Sequence, residues 1–361
     1  MTGVNGGVDL TQLFIFMPAS EAGVPCLIFH PSILRPSILL NFAYIVLMMR
    51  ILKIFALGLA VVALLLGLMF GYKDIPVNDL KAVYAPVPSS FISIDGMEVH
   101  YRDQGNDKDV LPIVLIHGTG ASLHTFDPWT EQLKSQYRVV SMDIPGFGLT
   151  GPFPDRDYSM DRYVSFVEQF LNAKGIQKCI IGGNSLGGSI AWQFAVKNPT
   201  MVDKLILIDA AGYPLQSESK PIAFVLARIP IVNKLLTFMT PKSMVRSSVE
   251  NVYADKSLVT DQLVERYFKM TLRQGNRQAL VDRMNMEGES DKAKLIPDIQ
   301  APTLVLWGEE DLLIPVSYAH QFHDDLPNSE LVILKNMGHV PMEENPEASL
   351  VPVVEFLNKA Y

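Results

Sequence analysis

Gly183-Asn184-Ser185-Leu186-Gly187 follows the apolar run Lys178-Cys179-Ile180-Ile181-Gly182. It is a G-x-S-x-G turn placed where a strand should hand over to a helix. A serine there sits on a sharp, strained corner with its hydroxyl pointing out of the fold. Side chains at the flanking glycines would crowd that corner. Ser185 therefore reads as a nucleophile, which needs a base, an acid to orient the base, and donors for an oxyanion.

Outward from this turn the chain alternates between strand and helix patterns. Ile113 to Ile116 and Arg138 to Met142 read as buried strands, and Trp129 to Gln136 reads as a helix. Met160 to Ala173 carries Tyr163, Phe166, Val167, Phe170 and Leu171 at helical spacing. Cys179 to Ile181 is strand, Leu186 to Val196 helix and Leu205 to Ile208 strand. Phe91 to Asp103 alternates around Asp95-Gly96, a hairpin signal. The alternation stops between about Tyr213 and Pro297, which reads as helices alone, and resumes at Thr303 to Trp307 and Leu331 to Leu334. Such a pattern predicts a mostly parallel sheet covered on both faces, with a helical cap inserted over its carboxyl edge.

Four segments end predicted strands and so meet at that edge: His117-Gly118-Thr119-Gly120, the Ser185 turn, Trp307-Gly308-Glu309-Glu310-Asp311 running on to Pro315, and Asn336-Met337-Gly338-His339-Val340-Pro341. These segments, with Asp143-Ile144-Pro145-Gly146-Phe147-Gly148, resemble the α/β-hydrolase superfamily. The similarity is to its capped branch of esterases, lipases and carbon–carbon bond hydrolases. The resemblance runs from about residue 90 to the C-terminus, in the order serine, acid, histidine. It implies that Ser185 attacks a carbonyl, His339 moves the proton, and Asp311 holds His339 in the right tautomer. It implies an oxyanion hole from the backbone N–H groups of Thr119 and Leu186. Asp209, at the end of the strand before the cap, is the rival acid. His117 is expected to hold the oxyanion loop, and His124, His320 and His323 to lie on the surface or in loops.

The bland readings are weaker. A lone serine in a glycine-rich turn is often a helix cap, but here the acid and histidine motifs accompany it. Gly118-Thr119-Gly120 is no dinucleotide fingerprint, because Leu123 stands where the third glycine belongs. Cys179 sits in a predicted core strand and reads as a small hydrophobe. No Cys/His cluster has metal-ligand spacing, so neither a metal nor a cofactor is expected.

Thirty basic against 38 acidic residues leave a net charge of −8, which argues against a nucleic-acid partner. The apolar excess gathers before residue 73. Ile54 to Tyr72 carries no charge and as a helix would span about 28 Å, near the bilayer's hydrocarbon thickness. Arg50 and Lys53 precede it, favouring a cytoplasmic N-terminus and a catalytic part on the other side. The expected organisation is therefore 48–73 membrane anchor, 74–89 linker, 90–212 and 298–361 hydrolase core, and 213–297 cap. Residues 1–47 hold apolar patches without a period. Met48 or Met49, directly before Arg50, is expected to be the native start, with a second membrane segment around Ile33 to Met49 as the alternative.

The function expected is a membrane-anchored serine hydrolase acting on a carboxylic ester. The apolar cap residues Phe224, Val225, Leu226, Leu235, Leu236, Phe238 and Met239 suggest a small-molecule or lipid-like substrate with a greasy acyl group. The runners-up are a carbon–carbon hydrolase of a ring-cleavage dienoate and a non-catalytic binding module. The dienoate reading needs a cation for the substrate carboxylate, with Arg228, Arg246 and Arg273 as cap candidates.

Overall fold

A computed structural model describes residues 36–105, 111–286 and 290–360. Residues 1–35, and with them most of the stretch expected to precede the native start, lie outside the described residues. The chain divides between Leu65 and Leu66 into two units.

Helix α1 spans Pro36–Phe70 without a break. It therefore begins before Met48 and takes in residues 36–49 of the stretch considered as a second segment. Proline opens it where a missing N–H costs nothing. Its stretch Ala43–Phe70 is long and apolar enough to cross a membrane. Its large apolar side chains, Leu52, Ile54, Leu57 and Leu68 among them, are exposed.

The second unit is built on an eight-stranded sheet: β1 (Ser90–Ile94), β2 (Met97–Gln104), β3 (Ile113–Ile116), β4 (Val139–Met142), β5 (Cys179–Asn184), β6 (Val202–Ile208), β7 (Thr303–Gly308) and β8 (Ser329–Leu334). The order across the sheet is β1-β2-β4-β3-β5-β6-β7-β8. From β4 to β8 all neighbours are parallel, and β2 pairs antiparallel with both β1 and β4. The β1–β2 hairpin turns at Asp95 and Gly96, with φ of 50° and 77°. That is the left-handed pair a two-residue hairpin turn demands.

The pleat sorts the apolar side chains to two faces. Val114 and Ile116 of β3 join a core with α4 (Met160–Ala173) and α5 (Leu186–Lys197), where Phe166, Phe170, Trp192 and Phe194 are buried. Ile113 and Leu115 face the other way, against Trp129 of α3 (Asp127–Leu133) and against Val353 and Phe356 of α13 (Pro346–Leu357). Helix α4 starts where Ser159 accepts the Arg162 N–H, a capping bond of the usual kind.

Among the described residues, five α-helices lie between β6 and β7: α6 (Ile222–Ala227), α7 (Val232–Leu236), α8 (Lys242–Glu250), α9 (Asp261–Thr271) and α10 (Asn276–Met284). Helices α11 (Ser317–Asp325) and α12 (Pro341–Glu344) follow. One expectation needs correcting. The stretch 74–89 contains helix α2 (Val77–Tyr84) and is packed, because Leu80 buries itself against Leu149 and Met270. Asp74 and Ile75 also bind Arg277, Gly275, Leu272 and Gln274 of the cap.

Candidate active site

Ser185 occupies the corner between β5 and α5 with φ 56°, a left-handed conformation uncommon for any residue but glycine. The corner closes because its neighbours lack side chains. A Cβ on Gly183 would lie 2.2 Å from the Gly187 carbonyl carbon, and one on Gly187 2.1 Å from the Ile116 oxygen. The Ser185 N–H donates to Ile208 O at 3.0 Å, tying the corner to the end of β6.

The acid and the histidine meet. Asp311 Oδ2 lies 2.6 Å from His339 Nδ1, and both side chains are buried. A carboxylate only accepts, so Nδ1 carries the proton and Nε2 keeps a lone pair. Asp311 Oδ1 is fixed by two N–H donors, Leu313 at 2.9 Å and Ile314 at 3.0 Å. Ser185 and His339 line the same pocket. Among the described residues no hydrogen bond joins the Ser185 hydroxyl to the His339 ring. Such bonds commonly tighten only once substrate is bound.

Asp209, the rival acid, is fully buried beside this pair. Its Oδ1 accepts the Gly308 N–H at 2.9 Å, and its Oδ2 has no partner. Burial, reinforced by the Asp311 charge, pushes its carboxyl well above the usual range, which favours its protonated form. It is Asp311, not Asp209, that accepts the hydrogen bond from His339 Nδ1. The ligand atoms of Asp209, Asp311 and His339 lie within 4.8 Å of one another, a spacing a metal ion could use. An ion there would have to displace the three N–H donors that already occupy Asp311.

Leu186 opens α5, so its N–H has no acceptor within the helix. The Gly118–Gly120 loop passes directly over Ser185: a Cβ on Gly118 would lie 3.0 Å from the Ser185 Cβ. Thr119 lines the pocket. His117 secures this loop through Nδ1 to Gly118 O at 2.8 Å and the Ile144 N–H to Nε2 at 3.1 Å. Both ring nitrogens are spent, and burial lowers its pKa. Asp143 is framework as well, accepting from His100 and from the Leu123 and Leu149 N–H groups at 2.7 Å each. His124, expected on the surface or in a loop, lies in the short 3-10 turn Leu123–Phe126. It is buried, hydrogen-bonded to Ser122 and Tyr84 O, and burial lowers its pKa to about 4. Its neighbours in sequence, Leu123 and Phe126, pull it inward. Burial pushes the Cys179 thiol up to about 12.

Two further residues, not singled out in the sequence, organise the His339 loop. Asn184 Nδ2 donates to His339 O at 2.9 Å and to Ile208 O at 3.2 Å. The second is Glu344, whose carboxylate accepts the N–H groups of Gly338 at 2.8 Å, Asp255 at 2.8 Å and Ala254 at 3.3 Å. The His339 N–H donates to Val252 O at 2.9 Å. The packing is tight enough that a Cβ on Gly338 would lie 2.7 Å from Ala254 N and Val252 O.

The pocket measures about 960 Å³ counted to its open mouth. Leu236, Val245, Val249, Leu280 and Val281 give it an apolar wall. The apolar cap divides: Phe224 and Leu236 line the pocket, whereas Val225, Leu235 and Phe238 point outward. Arg228, Arg246 and Arg273 do not line it. They are bound to Met284 O, to Asp261 and Val259 O, and to Gln274 O and Thr150 O respectively. Arg277 is the arginine that reaches the wall.

A capped parallel sheet with a serine corner and a buried Asp–His pair at one edge defines a class of hydrolases. The chain belongs to the alpha/beta hydrolase fold family, whose profile matches residues 112–346. It is 28% identical over 277 residues to the 2-hydroxy-6-oxo-6-(2'-aminophenyl)hexa-2,4-dienoic acid hydrolase of Metapseudomonas resinovorans, covering 74% of this chain and 90% of that one. It is 27% identical over 259 residues to lipase 1 of Psychrobacter immobilis, covering 69% and 77%. The crystal structure of a membrane phospholipase A superposes with a TM-score of 0.61 at 25% identity, covering 86% of this chain and 97% of that one. Its relatives thus include both lipases and carbon–carbon bond hydrolases.

Proposed function

We propose that this chain is a membrane-anchored serine hydrolase that cleaves a carboxylic ester with an apolar acyl group. The observation that carries the reading is the apolar pocket shared by Ser185 and a His339 already oriented by Asp311. Ser185 Oγ attacks the ester carbonyl as His339 Nε2 takes its proton. The oxyanion accepts from the N–H groups of Thr119 and Leu186, each donor of this kind being worth about 10²–10³ in rate. Collapse expels the alcohol, protonated by His339. Water, activated by the same nitrogen, then releases the acid and restores the serine.

The membrane part of the proposal rests on α1 and on the cap. Directly after α1, Gly71 bridges to Met239 and the Tyr72 N–H donates to Phe238 O at 3.0 Å. Phe238 is 69% exposed and Ile231 74%, and Ile222, Val225, Ile229 and Leu235 are exposed with them. An apolar surface at the point where the chain leaves α1 fits a cap resting on lipid. The basic pair Arg50 and Lys53 favours a catalytic unit on the non-cytoplasmic side.

A second reading draws on the dienoate hydrolase among the relatives: the same serine would attack a ketone and break a carbon–carbon bond. Turnover of p-nitrophenyl esters without turnover of a ring-cleavage dienoate separates the two. The decisive test of the nucleophile is labelling by a fluorophosphonate. Wild type should label and Ser185→Ala should not. Undiminished labelling of the variant excludes the mechanism.

A further inference from the structure

The polar groups of the pocket wall are almost all committed elsewhere. The hydroxyls of Thr240, Ser248 and Thr271 donate to Leu236 O, Met244 O and Tyr267 O, four residues back in each case. Tyr267 donates its proton to Glu343 at 3.1 Å. Arg277 differs. It is 5% exposed, and its Nε and Nη2 bind Asp74 Oδ1 at 3.1 and 2.6 Å. Nη2 also binds Tyr72 O at 2.8 Å, while Nη1 is buried without a partner. One edge of the guanidinium is spent on the segment after α1. The other holds two unspent N–H donors in a low-dielectric site, where an unmet donor is costly and a met one is strong.

We propose that Arg277 Nη1 anchors an anionic oxygen, carboxylate or phosphate, carried by the substrate at a distance from the scissile ester. The inference deepens the ester-hydrolase reading and rests on it. It defines the substrate class as an amphiphile with an apolar body for the Leu236, Val245, Leu280 and Val281 wall and an oxyanion for Arg277. The Asp74 pair leaves this role open, because it occupies only the Nε–Nη2 edge and holds the guanidinium in a fixed orientation.

The test uses the full chain in detergent. kcat/KM is measured for p-nitrophenyl hexanoate, octanoate and decanoate against the mono-p-nitrophenyl esters of adipic, suberic and sebacic acid. A second arm compares 1-oleoylglycerol with 1-oleoylglycerol 3-phosphate and so separates carboxylate from phosphate. Loss of a charge-assisted hydrogen bond should lower the anionic-to-neutral ratio in Arg277→Gln by roughly 10- to 100-fold for at least one pair. Arg277→Lys should restore part of it, and Asp74→Asn should keep it. A ratio unchanged in Arg277→Gln across every pair overturns the proposal. A readout without turnover separates failure of the ester reading from failure of the subsite. Decanoate should raise the melting temperature of Ser185→Ala more than 1-decanol does, and that difference should vanish in Ser185→Ala/Arg277→Gln. If it persists, Arg277 is not the anchor.

Discussion

Replacing Asp311 by asparagine tests the orientation of the base. The new amide offers one acceptor where the carboxylate offered two. If its oxygen turned to His339, its NH2 would face the Leu313 and Ile314 N–H groups, now 2.9 and 3.0 Å from Asp311 Oδ1. Two buried donors would then be unmet, at about 1–3 kcal/mol each. The oxygen therefore stays with the backbone and the NH2 points at His339 Nδ1. That forces the ring proton onto Nε2, the atom that must accept from Ser185. The expected loss in kcat is about 10³–10⁴-fold. Asp209→Asn should behave oppositely. Burial raises its pKa and favours the neutral form, which an amide mimics while keeping the Gly308 bond, so kcat should change by less than about threefold. With the Asp311 charge gone, Asp209 ionises more readily and partly compensates, so the double variant should fall below Asp311→Asn alone. Hydrolysis of p-nitrophenyl butyrate across pH 6–10 reads all three. An Asp311→Asn enzyme keeping more than a tenth of wild-type kcat, or one outperforming Asp209→Asn, refutes the reasoning. Stability gives an independent check. The folded Asp209 pKa is raised, so above pH 3.8 the folded state binds more protons and wild type loses stability as pH climbs. The melting-temperature advantage of Asp209→Asn should widen from pH 5 to pH 8.

Asn184→Ala leaves the His339 carbonyl unmet, while Ile208 O keeps the Ser185 N–H; thermal denaturation should show a loss of about 1–2 kcal/mol, with kcat falling more than KM changes. His124 is neutral when folded, so the unfolded chain binds the extra proton between pH 6.5 and about 4. Stability should fall across that window by up to about 3 kcal/mol, and a His124→Gln variant should show a flatter profile in chemical denaturation. Ile231→Asp/Phe238→Asp should weaken binding of a chain beginning at Lys73 to phosphatidylglycerol vesicles at least fivefold in sedimentation. Equal binding removes the cap from the lipid contact.

Much of this fold announces itself in local pattern. The strands from Ile113 to Leu334 are short apolar runs, and the glycines around Ser185 mark a corner that tolerates no side chain. The choice between Asp209 and Asp311 was not legible in the same way. Both end adjacent parallel strands paired Ile208 to Leu306, and only the loop after β7 carries its acid across to His339. Helix α2 went unread because one buried leucine in eight residues gives almost no periodic signal. Arg277 was invisible among the cap arginines, since which of the six faces inward depends on tertiary packing. The backbone donors at Thr119 and Leu186 leave no mark in sequence, only the motif around them.

The three N–H groups gathered by Glu344, with the Val252 carbonyl taken by the His339 N–H, fasten the segment after α8 to the loop that holds the imidazole. A chimaera that borrowed a foreign lid by cutting at the ends of β6 and β7 would discard that fastening and misplace its own imidazole. Swaps confined to 213–250 leave it intact, so substrate range and catalytic competence can be shuffled separately only on the amino-terminal side of Val252.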